Sequence, residues 1–217
     1  MSLTTSPLFF HLVKNGKMQQ NYYLVDSLGK FLRKIAIDYL RYGYTRYAVR
    51  VIPEGKDLEK VDQTIIATYG VSFCRSARAR QRAKGLANVI YLRFGQRFIL
   101  LANQGKHLEV EKRDFRNFLD YELYIDGYTI GVKRNKPCVM VAPRRFRSIR
   151  KYALKIALYS KQRLTTFLQS ISPFSYPGIN EQKWKLFLAV NKLRKRAGLA
   201  RLEWEEAKKP KNWRKKF

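Results

Sequence analysis

Between residues 75 and 84 the chain sets Arg75, Arg78, Arg80, Arg82 and Lys84 among alanines and small polar residues. On a helix Arg75, Arg78 and Arg82 follow i, i+3, i+7 and share a face, with Arg80 and Lys84 beside it. Guanidinium groups so placed clamp phosphates or read guanine edges. With Gln81 the one other polar reader, contact to backbone or shape takes the larger share. Ala77, Ala79 and Ala83 keep that surface slim. A second cationic set, Arg144, Arg145, Arg147, Arg150, Lys151 and Lys155, opens a later helical pattern. Positive charge in the first turns of a helix is opposed by the helix dipole, and bound phosphate would compensate it. The tail at 208–217, KKPKNWRKKF, reads as a basic arm along a backbone, and its KKPK also fits a nuclear-import pattern.

Acids concentrate between His107 and Asp126, where Glu109, Glu111, Asp114, Asp120 and Glu122 also fall. A helix over 107–119 would put His107, Glu111 and Asp114 on one face, and with Asp120 these are candidate catalytic residues. They would hold Mg²⁺ in a metal-dependent nuclease, the one reading that calls for a cofactor. The plainer reading is an acidic helix that neutralises its basic surroundings, with no metal site assigned. Glu54-x-Lys56 is similar to the terminal half-motif of restriction-type nucleases but lacks the upstream Pro-Asp. No phosphate-binding Gly-rich loop, nucleophile elbow, His-x-His or Cys-x-x-Cys is written.

Lys and Arg number 45 against 16 Asp and Glu, a formal charge of +29. Such self-repulsion is relieved by a polyanion that releases its counterions, so nucleic acid, DNA or RNA, is the expected partner. Tyrosines interleave with the cations: Tyr39, Tyr42, Tyr44 and Tyr47 near Arg41 and Arg46, and Tyr91 near Arg93. Exposed ones would stack on unpaired bases and buried ones would be core. No run approaches 18 apolar residues and no lipidation motif occurs, so no membrane partner is expected. Cys74 and Cys138 stand apart, which suits a reducing compartment. The expected location is intracellular, in cytoplasm or nucleoid.

The elements that position these residues follow from periodicity. Asp26 or Ser27 caps a helix running to about Tyr42, and His11 sits in an apolar run at 8–13 that reads as a strand or packed arm. Tyr44–Ile52 alternates as a strand. Residues 86–142 read as an antiparallel sheet of four or five strands, with hairpin turns at Gly95–Gln96, Asp126–Gly127 and Asn135–Lys136–Pro137. A short helix over 107–119 is inserted among them. One long helix covers Arg144–Ile171, and Asn180 caps a last one ending at Gly198. The fold class is α+β, an antiparallel sheet with helices on one face plus a C-terminal pair of helices. The expected organisation is a core at 1–143, a basic helical region at 144–207 packed on it, and a tail at 208–217.

Within 57–85, Leu58, Val61, Ile65 and Tyr69 form one apolar face. Gly70 closes that helix in the left-handed conformation, and Ser72 caps the basic helix that follows. The face Leu58, Val61, Ile65, then Tyr69–Gly70–Val71–Ser72, then the basic helix resembles the helix-turn-helix of bacterial regulators and recombinases. That resemblance implies a second helix entering the major groove, and it tilts the expected partner toward DNA. The expectation is a nucleic-acid-binding protein working mainly through the phosphate backbone, as a plasmid or mobile-element factor would. A nuclease using the 107–126 acids and a structural RNA-binding protein of a ribonucleoprotein are the alternatives.

Overall fold

The computed structural model describes residues 22–71 and 74–208. The run at 8–13 with His11, the cap at Ser72 and the tail beyond Lys208 lie outside those residues. Helix α1 opens at Leu28–Arg33, where the Ser27 hydroxyl accepts a hydrogen bond from the Lys30 amide at 3.4 Å. It widens to π geometry over Lys34–Tyr39 and tightens to a 3-10 turn at Leu40–Tyr42, which Gly43 closes at φ 87°. Phe31, Leu32, Ile35, Ala36 and Leu40 bury its inner face.

Strand β1 (Arg46–Val51) leads to α2 (Leu58–Thr68) and α3 (Arg75–Ala83), then β2 (Val89–Phe94) and β3 (Arg97–Ala102). After α4 (Leu108–Lys112) comes the short β4 (Arg116–Asn117). These strands make one antiparallel sheet in the order β2-β3-β1-β4. Both β1 and β2 run antiparallel to β3, so they are parallel to each other, and the α2–α3 segment carries the chain across. Alternation along each strand divides the sheet between two cores. Ile90, Leu92, Ile99, Leu101 and Tyr47 face the main core with α1. Val89, Tyr91, Leu100 and Ala102 face a second cluster with Tyr69, Val71 and Val110. Helices therefore cover the sheet on both sides.

Strands β5 (Leu123–Ile125), β6 (Tyr128–Lys133) and β7 (Lys136–Val141) form a separate three-stranded sheet. The α+β class holds, but the one sheet expected over 86–142 resolves into two. The Asp126–Gly127 turn is as read, with φ of 45° and 82°. The next turn is Arg134–Asn135, at φ 50° and 57°, and Lys136 and Pro137 belong to β7. Two consecutive left-handed residues match the twist of paired strands better than a turn two residues later. Pro137 is tolerated because β7 is an edge strand.

The long helix expected over Arg144–Ile171 is two, α5 (Pro143–Ile156) and α6 (Lys161–Ser170). Ser160 caps α6, its hydroxyl accepting from the Arg163 amide at 3.2 Å. Arg194, only 4% exposed, takes the carbonyls at the end of α5: Nη1 donates to Ala157 at 2.8 Å and to Tyr159 at 3.1 Å. Its Nε donates to Ala200 at 2.7 Å. Arg194 lies on α7 (Pro177–Arg196), which starts before Asn180 because Pro177 supplies the first turn. A Cβ on Gly178 would lie 2.6 Å from Cys138 Sγ, so only glycine lets α7 seat this closely on β7. Helix α8 (Trp204–Ala207), opened by a capping box of Glu203 and Glu206, had no sequence expectation. The main core runs from Val25 to Ala207, so α5–α8 share it with both sheets.

Candidate nucleic-acid interface

Asp57 caps α2, its Oδ1 accepting from the amides of Glu59 at 3.0 Å and Lys60 at 3.2 Å. Ile65, Ile66 and Tyr69 pack toward the sheet, and between them the helix drives Asp62 fully out of solvent. Arg93 of β2 meets this carboxylate with Nε at 2.9 and 3.0 Å from its two oxygens, and the Tyr91 hydroxyl donates to it as well. Tyr23 reaches the same carboxylate, and burial followed by that negative charge raises the Tyr23 pKa. Residues 23–25 run beside β2, with Val25 N donating to Arg93 O at 2.8 Å and Arg93 N to Tyr23 O at 2.8 Å. One buried acid thus ties α2, an edge strand and the incoming chain together.

Gly70 ends α2 in the left-handed region at φ 53°, as the sequence suggests. Helix α3 then begins after Cys74 and buries none of its side chains. Arg75, Arg80, Arg82 and Lys84 are exposed, and among the described residues none of them joins a salt bridge. Arg78 is different: it is half-buried, its side chain hydrogen-bonded to Tyr39 and its charge felt by Tyr44. Burial raises both phenol pKa values and the Arg78 charge works against that rise. The face shared by Arg75, Arg78 and Arg82 therefore turns partly toward α1, and Arg80 and Lys84 look outward. The element before α2 is the strand β1.

On α5, Arg144, Arg145, Arg147, Arg150, Lys151 and Lys155 are all exposed, while Phe146, Ile149, Ala153 and Ile156 pack inward. The first turn carries no acid and no side-chain cap. Arg145 lies over the Tyr128 ring at 5.4 Å, a cation–π contact that orients it without neutralising it. Asp126, in the turn beside Arg145, is already paired to Arg97 at 2.7 Å. Arg97 starts β3, whereas Gly85, just after α3, bonds to Lys106 beyond the end of β3. The start of α5 and the end of α3 thus lie at opposite ends of one strand, roughly 20 Å apart at ~3.3 Å per residue.

The acidic candidates do not assemble. The helix expected over 107–119 stops at Lys112, because Arg113 is extended at φ −115°, ψ 156°. Asp114 therefore leaves the face that holds Glu111, and Asp120 follows β4 at the surface. The His107 ring is held by Tyr69, with Nε2 3.1 Å from the Tyr69 carbonyl. Among the described residues no group of three His, Cys, Asp or Glu side chains is placed to hold a metal ion.

The tyrosines sort cleanly. Tyr44, Tyr47 and Tyr91 are core and Tyr39 is half-buried, but Tyr42 is 68% exposed. It opens onto a cleft of about 550 Å³ with Gly43, Thr45, Arg82, Gly85, Asn103, Gln104 and Gly105. The 103–105 loop was not singled out by sequence, because no periodicity or charge run marks it. It is nonetheless firmly held. Arg46 Nη2 donates to the carbonyls of Asn103 at 2.5 Å and Gly105 at 2.9 Å.

Cys74, exposed at the entrance to α3, has its Sγ 2.9 Å from the Ser76 hydroxyl. That hydrogen bond, with the amides of Ala77 and Ser76, brings its pKa down to about 7. Burial pushes the Cys138 thiol the other way. Alkylation by iodoacetamide should modify Cys74 with a rate midpoint near pH 7 and Cys138 only in more alkaline solution. Peptide mapping across pH checks this, and equal rates at the two sites would contradict it.

Comparison with protein-family models, curated proteins and solved structures returned no match.

Proposed function

We propose that the protein binds nucleic acid through phosphate contacts from α3 and the opening turns of α5, with DNA favoured over RNA. The observation that carries this reading is α3 itself. A nine-residue helix with no fully buried side chain carries, with Lys84 at its end, four exposed cations that join no salt bridge among the described residues, so most of its charge is left uncompensated. A row of phosphates compensates that charge, releasing counterions in exchange. The dipole of α5 makes the same demand at its cationic first turn. A backbone that meets both surfaces covers roughly 20 Å, about six base pairs of duplex at ~3.4 Å each. The preference for DNA rests on the helix-turn-helix resemblance of α2, Gly70 and α3.

Fluorescence anisotropy against salt tests the proposal. Log affinity should fall steeply with log salt concentration, with a slope near −0.9 per phosphate contacted. The double substitution Arg80→Glu with Arg82→Glu should weaken binding on the order of 100-fold and flatten the slope by about 2. Both sites are exposed, so circular dichroism should be unchanged. Unaltered affinity would remove α3 from the interface.

A further inference from the structure

The cleft beside Tyr42 has the components of a nucleobase site, and we propose that it holds one unpaired nucleotide of the polymer bound by α3. This rests on the nucleic-acid reading above and narrows it to substrates with a single-stranded, gapped or extruded base. Tyr42 supplies an exposed aromatic face at the end of α1, where the 3-10 turn and Gly43 fix the backbone. Any base can stack on such a face. Arg82, exposed on α3, lines the same cleft and reaches the phosphate attached to that base.

The opposite wall is amide chemistry. Asn103 is 8% exposed and its Oδ1 accepts from the Asn88 amide at 2.6 Å, which fixes the side-chain orientation. Asn103 lines the cleft, and its Nδ2 is the group proposed to donate to a base edge. Gln104 is exposed in the cleft, with both a donor and an acceptor to offer. The paired donor and acceptor of Gln104 match an adenine edge, whereas Asn103, its Oδ1 engaged by Asn88, offers a donor.

The glycines explain why the cleft is open. At Gly43 and Gly85 a Cβ would meet nothing within 4 Å, so the backbone faces free space. Gly105, at φ 128°, lies so close to residues 86 and 87 that a Cβ would sit 2.6 Å from the Ala87 nitrogen. That contact, the Lys106 amide donating to Gly85 O at 3.0 Å and the Arg46 clamp hold the loop before any ligand arrives. A prepared wall does not spend binding free energy on being ordered.

The test measures anisotropy at one fixed salt concentration. Its probes are a blunt DNA duplex, the same duplex with a one-nucleotide bulge, and single-stranded DNA and RNA of equal length. Tyr42→Ala should weaken binding to the bulged and single-stranded probes by roughly 5- to 100-fold. The blunt duplex should be bound as before. Tyr42→Phe should keep most of the affinity, because the ring and not the hydroxyl does the stacking. The single strand with the larger loss identifies the polymer, DNA or RNA. Equal losses on every probe, or no loss on the unpaired ones, overturn the base site while leaving phosphate binding intact. A wild-type protein that binds none of the probes overturns the nucleic-acid reading itself.

Discussion

Replacing Asp62 by alanine should lower the unfolding free energy by ~3–5 kcal/mol, the usual result of removing one partner from a buried ion pair. The carboxylate is fully buried and receives hydrogen bonds from Arg93 and Tyr91, with Tyr23 beside them. Without it, the Arg93 guanidinium is left inside the second core with the Gly95 carbonyl, which Nη1 meets at 2.9 Å, and no anion. Equilibrium urea unfolding followed by circular dichroism measures the loss. The control is Asp62→Leu combined with Arg93→Met and Tyr91→Phe, which removes the whole polar set. It should regain much of the stability, since an apolar replacement of a buried ion pair is often neutral. If the single substitution costs under about 1 kcal/mol, the network is not what joins α2 to the sheet.

The second large effect belongs to Arg194. Arg194→Met should cost about 3 kcal/mol or more, because the carbonyls of Ala157, Tyr159 and Ala200 lose their donors together. This cation is paired to no carboxylate among the described residues; its counter-charge is the negative end of the α5 dipole. Arg194→Lys should fall between, since a lysine offers one compact ammonium where the site uses a planar fork. Hydrogen exchange localises the damage: the last turn of α5 and the 157–160 connection should lose protection first. Uniform loss across the chain would contradict a local role.

Much of the fold was legible because it is written locally. Ser27 before α1, Asp126–Gly127 between β5 and β6, and Gly95–Gln96 between β2 and β3 each act within a few residues of the chain. What could not be read depends on partners far away in sequence. The break between α5 and α6 has a local sign in Ser160, but the apolar pattern runs straight through it. The residue that seals it, Arg194, is more than thirty positions on. Asp62 had a faint signature: an acid beside the apolar stripe Leu58, Val61, Ile65 and Tyr69. Helical spacing alone does not tell a buried carboxylate from a solvated one. In the candidate interface the exposure of Arg75, Arg80, Arg82, Lys84 and the α5 cations agrees with their charge run. Arg78 turned inward because Tyr39 of α1, remote in sequence, offers it a hydroxyl, with Tyr44 close enough to feel its charge. The acidic set failed for a local reason, since the pattern carried a helix past Lys112 where the backbone becomes extended.

The crossing of α2 and α3 between β1 and β2 also sets the order in which the sheet can assemble. The β2–β3 hairpin closes through two residues and forms early, whereas Val51 meets Arg97 only after the whole excursion has been closed. Restraining a loop of that length costs about 3 kcal/mol of chain entropy, and it gathers the arginines of α3 within a chain whose formal charge is +29. Until β1 docks, β3 presents an open edge of unpaired N–H and C=O groups, the template on which another copy of the chain can add. Counterions or a polyanion that quiet the charge on the crossing segment therefore shorten the time that edge stays open. Helix α3, proposed above to meet a polymer, also belongs to the segment whose closure leaves that edge open in the unfinished fold.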